Sequence, residues 1–313
     1  MINTILAIPS FIIGVILLWK GSDILVEGTS KTAAGLGVSS LIISLIIVAF
    51  GTSTPEFAIS VGAAFQSRAD ISLGNIIGSC VANVLLVLGF SAIIRPIQIQ
   101  KSIIKREMPI LVGVTFALFF FSFFGLLDNP HHIIGGIIFL ILFSIFIIYF
   151  LNCAKKERNN FEKFGKGTTR KNVFYIILGI IGVVIGAWLL IESSVTIAEI
   201  LNIPTLVIAL SMVAVGTSLP ELVVSATAAY KGESDIVVGN VLGSNVFNIL
   251  LILGACALFI PLNAFDSLSH ILFLIIATLI MFPVIFTGRI ISRREGVLFL
   301  VLYSFFIWYV FII

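Results

Sequence analysis

The sequence predicts an all-α membrane protein of ten transmembrane helices, arranged as two inverted repeats of five helices each. Three observations predict it. The 313 residues are 59% hydrophobic and only 11% charged, with a mean hydropathy of +1.22. Soluble globular chains carry about 25% charged residues, so a soluble core-and-surface design is excluded. Lys and Arg fall almost entirely on one side once ten apolar segments are drawn. The two halves also repeat each other at a constant offset.

A bilayer core takes about 20 apolar residues per helix, and the segments follow in order. Segment one spans 3–19; no signal-peptidase site follows it, so it reads as a retained helix. Segment two, 37–65, carries Gly-Thr-Ser-Thr-Pro-Glu between long apolar flanks. Segment three, 71–94, starts after Asp70 and stops before Arg95. Segments four and five, 107–127 and 133–152, flank a short loop with Pro130, His131 and His132. Segment six, 172–192, contains the apolar run 173–191. Segment seven, 203–230, carries Gly-Thr-Ser-Leu-Pro-Glu, and segment eight, 236–261, follows Asp235. Segments nine and ten cover 268–287 and 296–313.

Basic loops stay on the cytoplasmic side of a membrane protein. The loop between segments five and six holds Lys155, Lys156, Arg158, Lys163, Lys166, Arg170 and Lys171. With that loop inside, every other Lys and Arg except Arg68 also falls inside, and both termini lie outside. The expected organisation is therefore 1–152 as first repeat, 153–171 as cytoplasmic linker and 172–313 as second repeat, in the cell membrane. Topology explains the net charge of +3, which is no sign of nucleic-acid binding.

The stretch 21–89 aligns with 186–254 at an offset of 165 without a gap. Asp70, Gly74, Asn75, Gly78, Ser79, Asn83 and Gly89 all recur at their number plus 165. Five helices per half is an odd number, so the second copy enters from the opposite side. Transporters built this way bind their substrate near the midplane, where the copies meet.

The best-matched stretches are the polar ones inside apolar segments. A carboxylate at membrane depth is a functional candidate by default, and Glu56 and Glu221 stand in equivalent contexts. Thr52 and Ser53 precede Glu56 by four and three residues, and Thr217 and Ser218 precede Glu221 likewise, which puts each set on one helix face. Pro55 and Pro220 interrupt the helix ladder, which makes the carbonyls of Ala49 and Ala214 candidate donors. Ser79 with Asn83, and Ser244 with Asn248, add i,i+4 pairs of neutral oxygens. Carboxylate, hydroxyl, amide and carbonyl oxygens without a His or Cys cage suit a hard cation such as Ca2+ or Na+. Two ionised glutamates are neutralised by one Ca2+ or two Na+. Mutual exclusion of this kind is the physical basis of antiport.

Blander readings hold elsewhere. Ser, Thr and Asn often only join helices in a membrane, and the glycines at 74, 78, 239 and 243 suit close packing. Asp23, Glu27 and Glu192 read as interfacial, Asp70 and Asp235 as helix N-terminal charges, and the histidine pair as solvated. Cys80, Cys153 and Cys256 read as small hydrophobes, and the 28 phenylalanines as lipid-facing bulk.

The duplicated signatures resemble those of the Ca2+/cation antiporter superfamily, specifically its prokaryotic Na+/Ca2+ exchangers, over essentially the whole chain. The first is Gly-Thr-Ser-Thr-Pro-Glu with Gly-Asn-Ile-Ile-Gly-Ser-Cys-Val-Ala-Asn; the second is Gly-Thr-Ser-Leu-Pro-Glu with Gly-Asn-Val-Leu-Gly-Ser-Asn-Val-Phe-Asn. The resemblance implies ion sites between helices two, three, seven and eight, with Glu56 and Glu221 binding Ca2+. It implies oxygen ligands at Thr52, Ser53, Thr217, Ser218, Ala49, Ala214, Ser79, Asn83, Ser244 and Asn248. It also implies that segments one and six slide past this core during alternating access. Many relatives carry aspartate at the position of Asn248. The amide here resembles the K+-independent animal exchangers, argues against K+ cotransport and speaks against a proton-binding role there.

The expected activity is therefore antiport of Na+ against Ca2+ by a monomer, without a cofactor and without enzymatic chemistry. An H+/Ca2+ antiporter of the same fold is the alternative, since the glutamates could titrate. A cation channel fits less well, because channels present rings of ligands from several subunits. An intramembrane enzyme fits least, for no nucleophile–base pair is present.

Overall fold

The computed structural model describes residues 6–160, 169–200, 216–286 and 288–312. These are nearly all helical. In chain order they form α1 (Ala7–Leu36), α2 (Ser40–Thr52), α3 (Thr54–Phe65), α4 (Ala69–Ile94), α5 (Lys101–Lys105) and α6 (Glu107–Phe123). There follow α7 (His132–Asn160), α8 (Thr169–Ile200), α9 (Leu219–Lys231), α10 (Ser234–Ala257), α11 (Leu268–Phe286) and α12 (Arg293–Ile312). Two short strands, β1 (Ile97–Gln98) and β2 (Ile290–Ile291), pair antiparallel with Ile97 opposite Ile291.

Among the described residues, six helices are long and apolar enough to cross a membrane. Taking α2 and α3, bent by 48° at Ser53, as one broken span makes seven. The apolar window of α10 is 94% buried and that of α4 is 78% buried, against 28% for α1, α7 and α8. So α4 and α10 form the centre, and the other helices shield them. Isoleucine, leucine and phenylalanine side chains face outward on α1, α7 and α8, the pattern expected of lipid-facing helices. Phe139, Phe150 and Phe299, in contrast, are among the largest wholly buried side chains, so phenylalanine also fills the core.

Several boundaries move. The first helix continues to Leu36, so Lys20, Asp23, Glu27 and Lys31 lie on a helix rather than in a loop. The stretch 20–36 is rich in small and polar residues, and hydropathy passed over it. Tertiary packing holds it: a Cβ on Gly21 would lie 2.8 Å from the Val183 backbone nitrogen, so α1 and α8 meet backbone to backbone. Asp23 is paired with Lys231 at 2.6 Å and Glu27 with Lys31. Glu192 likewise lies within α8, not at its end. The expected linker 153–171 is helical at both ends, because α7 runs to Asn160 and α8 starts at Thr169. The first residues of segment seven, 203–215, lie outside the described residues.

A polar network ties these helix ends together. Ser30 donates to Glu233, the Ser39 amide donates to Glu157, and the Gln98 amide donates to the Ser234 hydroxyl. Gln100 donates to Asp235, which lies in the first turn of α10, as expected of a helix N-terminal charge. His132 meets the Ala257 carbonyl at 2.7 Å through Nδ1 and so is joined to the end of α10 rather than solvated. The three cysteines are free, and Cys80 and Cys256 are buried, as small hydrophobes would be.

Candidate functional site

The site is built where a broken helix, α2 with α3, and the start of α9 meet two continuous helices, α4 and α10. Pro55 and Pro220 stand at the starts of α3 and α9, where a missing amide hydrogen is tolerated. The residues before them leave the helix: Ser53 has φ −81° and ψ 11°, and Ser218 has φ −85° and ψ 8°. Each break puts a serine hydroxyl at a helix start, with a glutamate in the first turn. In α4 and α10 the corresponding stretches widen into π-helical turns, Ala82–Val87 and Phe247–Leu253. These hold Asn83 and Asn248. Such turns are frequent at functional sites.

Glycine allows the helices to come close enough. A Cβ on Gly243 would lie 2.3 Å from the Leu45 carbonyl oxygen and 2.7 Å from the Ala49 Cβ. That contact presses α10 against α2 at the depth of the break. Close packing is thus the role of Gly239 and Gly243, whereas among the described residues nothing lies within 4 Å of a Cβ on Gly74 or Gly78, so the close packing expected there is not seen.

Glu56 and Glu221 are fully buried. Ser79 donates to Glu56 Oε1 at 3.0 Å, and its hydroxyl also meets that of Ser218 at 3.0 Å. Asn248 donates to the Ser79 oxygen at 3.2 Å. Ser53 donates to Glu221 Oε1 at 3.0 Å, and Ser244 donates to the same atom at 3.3 Å. Thr52 shares its one hydroxyl hydrogen between the Asn240 side-chain oxygen at 3.0 Å and the Ala49 carbonyl at 3.3 Å. The structure thus brings the predicted residues into two hydrogen-bonded sets, one of Glu56, Ser79, Ser218 and Asn248 and one of Ser53, Ser244, Glu221 and, through Asn240, Thr52, while Asn83 is bonded to Asn245.

The pairing differs from the one-face pattern expected from i,i+3 and i,i+4 spacing. Ser53 serves Glu221 of the other repeat rather than Glu56, and Thr52 also reaches across. The bend at Ser53 is the reason: residues on either side of it no longer share a helix face. Ala49 is buried at the expected place, but its carbonyl already accepts the Ser53 amide at 3.0 Å and the Thr52 hydroxyl at 3.3 Å. Thr217 is buried beside the break; Ala214 lies outside the described residues.

Eleven buried side-chain oxygens have no hydrogen-bond partner among the described residues, and four of them belong to residues of the predicted site: Glu56 Oε2, Glu221 Oε2, Asn83 Oδ1 and Asn248 Oδ1. Each comes from a different helix, α3, α9, α4 and α10, and the four form two repeat-related pairs. Buried polar atoms are nearly always hydrogen-bonded. Two carboxylate and two amide oxygens left open together form a donor set that fits a hard cation. Among the described residues no cluster of three or more His, Cys, Asp or Glu side chains forms.

Sequence reasoning missed a supporting layer. Asn75 donates to Ser60 at 2.9 Å and to the Glu56 carbonyl at 3.5 Å. Asn240 donates to Ser225 at 3.1 Å and to the Glu221 carbonyl at 3.4 Å. These contacts hold the helical turns that carry the two glutamates. The signal was available, since Ser60 and Asn75 both recur at plus 165.

Comparison with known proteins follows the same lines. The family described as Sodium/calcium exchanger protein matches residues 6–152 and 171–312. The chain is 36% identical to the sodium/calcium exchanger MaX1 of Methanosarcina acetivorans, covering 93% of this chain and 95% of that protein. It is 37% identical to the uncharacterized membrane protein MJ0091 of Methanocaldococcus jannaschii, covering 96% of each. Its fold matches the sodium-calcium exchanger NCX_Mj, from crystals soaked with 10 mM Na+ and 10 mM Sr2+, with a TM-score of 0.84 and 36% identity over 97% of this chain and 98% of that one. Helical composition, the duplicated signatures, the buried carboxylates and these matches agree: the chain belongs to the sodium/calcium exchanger protein family.

Proposed function

We propose that this chain is a secondary antiporter that exchanges Na+ for Ca2+ by alternating access, the ions competing for one cluster among α2, α3, α4, α9 and α10. The observation that carries this reading is the set of four open, buried oxygens on Glu56, Glu221, Asn83 and Asn248. With both glutamates ionised the cluster holds two negative charges, which one Ca2+ or two Na+ neutralise. Thr52, Ser53, Ser79, Thr217, Ser218 and Ser244 surround these oxygens and supply further ligands, and the carbonyls of Ala49 and Ala214 complete the proposed set. Ligation by Ala49 requires the Thr52 hydroxyl to turn away, which is a small side-chain rotation.

The proposed frame is ten helices in two inverted repeats, 1–152 and 172–313, with the basic linker 153–171 in the cytoplasm and both termini outside. The segregation of Lys and Arg supports this orientation. The cell membrane is the proposed location and a monomer the proposed working unit, since one chain contains both halves of the site. No enzymatic step or cofactor enters the reading.

The test is uptake of radiolabelled Ca2+ by Na+-loaded liposomes carrying the purified protein, diluted into Na+-free buffer. Uptake that requires the outward Na+ gradient, and is lost in Glu56→Gln and Glu221→Gln, is the expected result. Uptake driven by a pH gradient without Na+ would replace Na+ by H+ as the coupling ion. Ca2+ flux that needs no counter-ion would overturn antiport altogether.

A further inference from the structure

The pseudo-twofold relation between the repeats brings two related residues into direct contact. Cys80 and Asn245 are separated by the repeat offset of 165, and they touch. Asn245 Nδ2 donates to the Cys80 carbonyl at 3.2 Å, and Cys80 Sγ lies 3.9 Å from the Asn245 carbonyl. The axis therefore passes between α4 and α10 at this point. It is also a position where the duplicated signatures differ in residue type, cysteine in one and asparagine in the other.

That difference orients a neighbour. A backbone carbonyl can only accept, so the side of Asn245 that faces Cys80 must be its NH2 group. The Asn245 oxygen then points the other way, where it meets the Asn83 amide at 3.1 Å. An amide oxygen also can only accept, so Asn83 must present its own NH2 to Asn245. Its oxygen is thereby turned to the opposite side, and it is one of the four open, buried oxygens of the site. Each step follows from donor and acceptor chemistry alone, starting from a main-chain atom that cannot change its role.

Asn248, the counterpart of Asn83, is held differently. Its NH2 meets the Ser79 hydroxyl, which accepts because its hydrogen is directed at Glu56. A Cys80 side chain offers no amide oxygen with which to repeat the first arrangement. The orientation of Asn248 thus depends on Glu56, whereas that of Asn83 depends on the backbone.

We propose that Asn245 is a positioning residue that holds Asn83 with its oxygen, and not its NH2 group, toward the bound cation. This rests on the reading of the cluster as a cation site. Asn245 itself touches no ion in this assignment; it acts through Asn83.

The experiment is a double-mutant comparison of Ca2+ half-saturation in Na+-loaded liposomes. Asn245→Leu keeps the branching of the side chain and removes both polar atoms. It is expected to raise the half-saturation concentration roughly tenfold, the scale of one net hydrogen bond. In an Asn83→Asp background the same substitution is expected to raise it less than about twofold, because a carboxylate offers an oxygen whichever way it turns. Asn245→Asp, as the neutral acid that the Cys80 carbonyl favours, donates its O–H to that carbonyl and retains an acceptor facing the Asn83 amide, and its half-saturation, compared at the same mildly acidic pH, is expected to be no higher than that of the unmodified protein. This second variant keeps the question answerable if Asn245→Leu does not fold. Equal effects of Asn245→Leu in both backgrounds, or a tenfold rise in Asn245→Asp, would assign Asn245 a merely structural role and overturn the proposal. An unmodified protein without Na+-driven uptake would overturn the exchange reading, and this inference with it. Exchange in the unmodified protein together with additive effects would overturn this inference alone.

Discussion

Replacing Glu56 by glutamine probes the site without changing its shape. Ser79 has its hydrogen directed at Glu56 Oε1 while its oxygen accepts from Asn248. A glutamine at this position is therefore held with its carbonyl toward Ser79. Its NH2 group then replaces the open Oε2 atom and points at the cation. One negative charge is lost and one positive dipole end is gained. Removing one partner from a buried charge assembly costs about 3–5 kcal/mol. For Ca2+ that is a loss of affinity of roughly a hundred-and-fifty- to four-thousandfold. The Coulomb energy scales with the charge of the ion, so a single Na+ loses about half as much, roughly ten- to sixtyfold. The assay is the half-saturation of Ca2+ uptake in proteoliposomes, beside the Na+ concentration that halves that uptake. Ca2+ is expected to weaken by more decades than Na+. A Glu56→Gln protein that keeps its Ca2+ half-saturation within about tenfold, or that loses Na+ more than Ca2+, would refute this reasoning.

Three further predictions concern the scaffold and pH. Gly243→Ala would place a methyl group 2.3 Å from the Leu45 carbonyl; overpacking of this kind costs about 1–3 kcal/mol, so a lower unfolding temperature in detergent and weakened exchange are expected. Asn240→Leu removes the side-chain partner of Ser225 and of the Glu221 carbonyl, at about 1–3 kcal/mol for each stranded group, and leaves Thr52 only its Ala49 carbonyl contact. It is expected to lower the unfolding temperature more than Asn75→Leu, since the Asn75 oxygen has no partner to lose. Acidification is expected to raise the Ca2+ half-saturation, because a proton and a Ca2+ ion compete for the same carboxylates; a flat profile between neutral and acidic pH would count against Glu56 and Glu221 as ligands.

A large part of this protein was legible in the chain. The repeat at offset 165 located both glutamates, the prolines beside them and the serine and asparagine positions around them. It could do so because a duplicated polar motif inside an apolar segment has few explanations other than function. Hydropathy found the helices whose outer faces meet lipid. It failed where burial is achieved by close helix contact rather than by apolar bulk, as in α1 beyond residue 19. There Gly21 and its neighbours read as a loop, although they form the inner half of a helix.

What composition and repetition determined is the class of molecule, the duplicated architecture expected of it, and the residues that carry charge into the membrane. Those are properties of residue type and spacing, and no contact is needed to read them. The tertiary structure decided which hydroxyl serves which carboxylate, since the bend at Ser53 sends that side chain across to Glu221 rather than along its own helix. It also decided which oxygens remain open, because an amide shows its oxygen or its nitrogen according to what lies behind it. Asn83 is the clearest case: its orientation is set by Asn245 and the Cys80 carbonyl, a helix away in space and 162 and 3 residues away in the chain. A one-dimensional pattern contains no record of that contact, because it arises only when α4 and α10 cross.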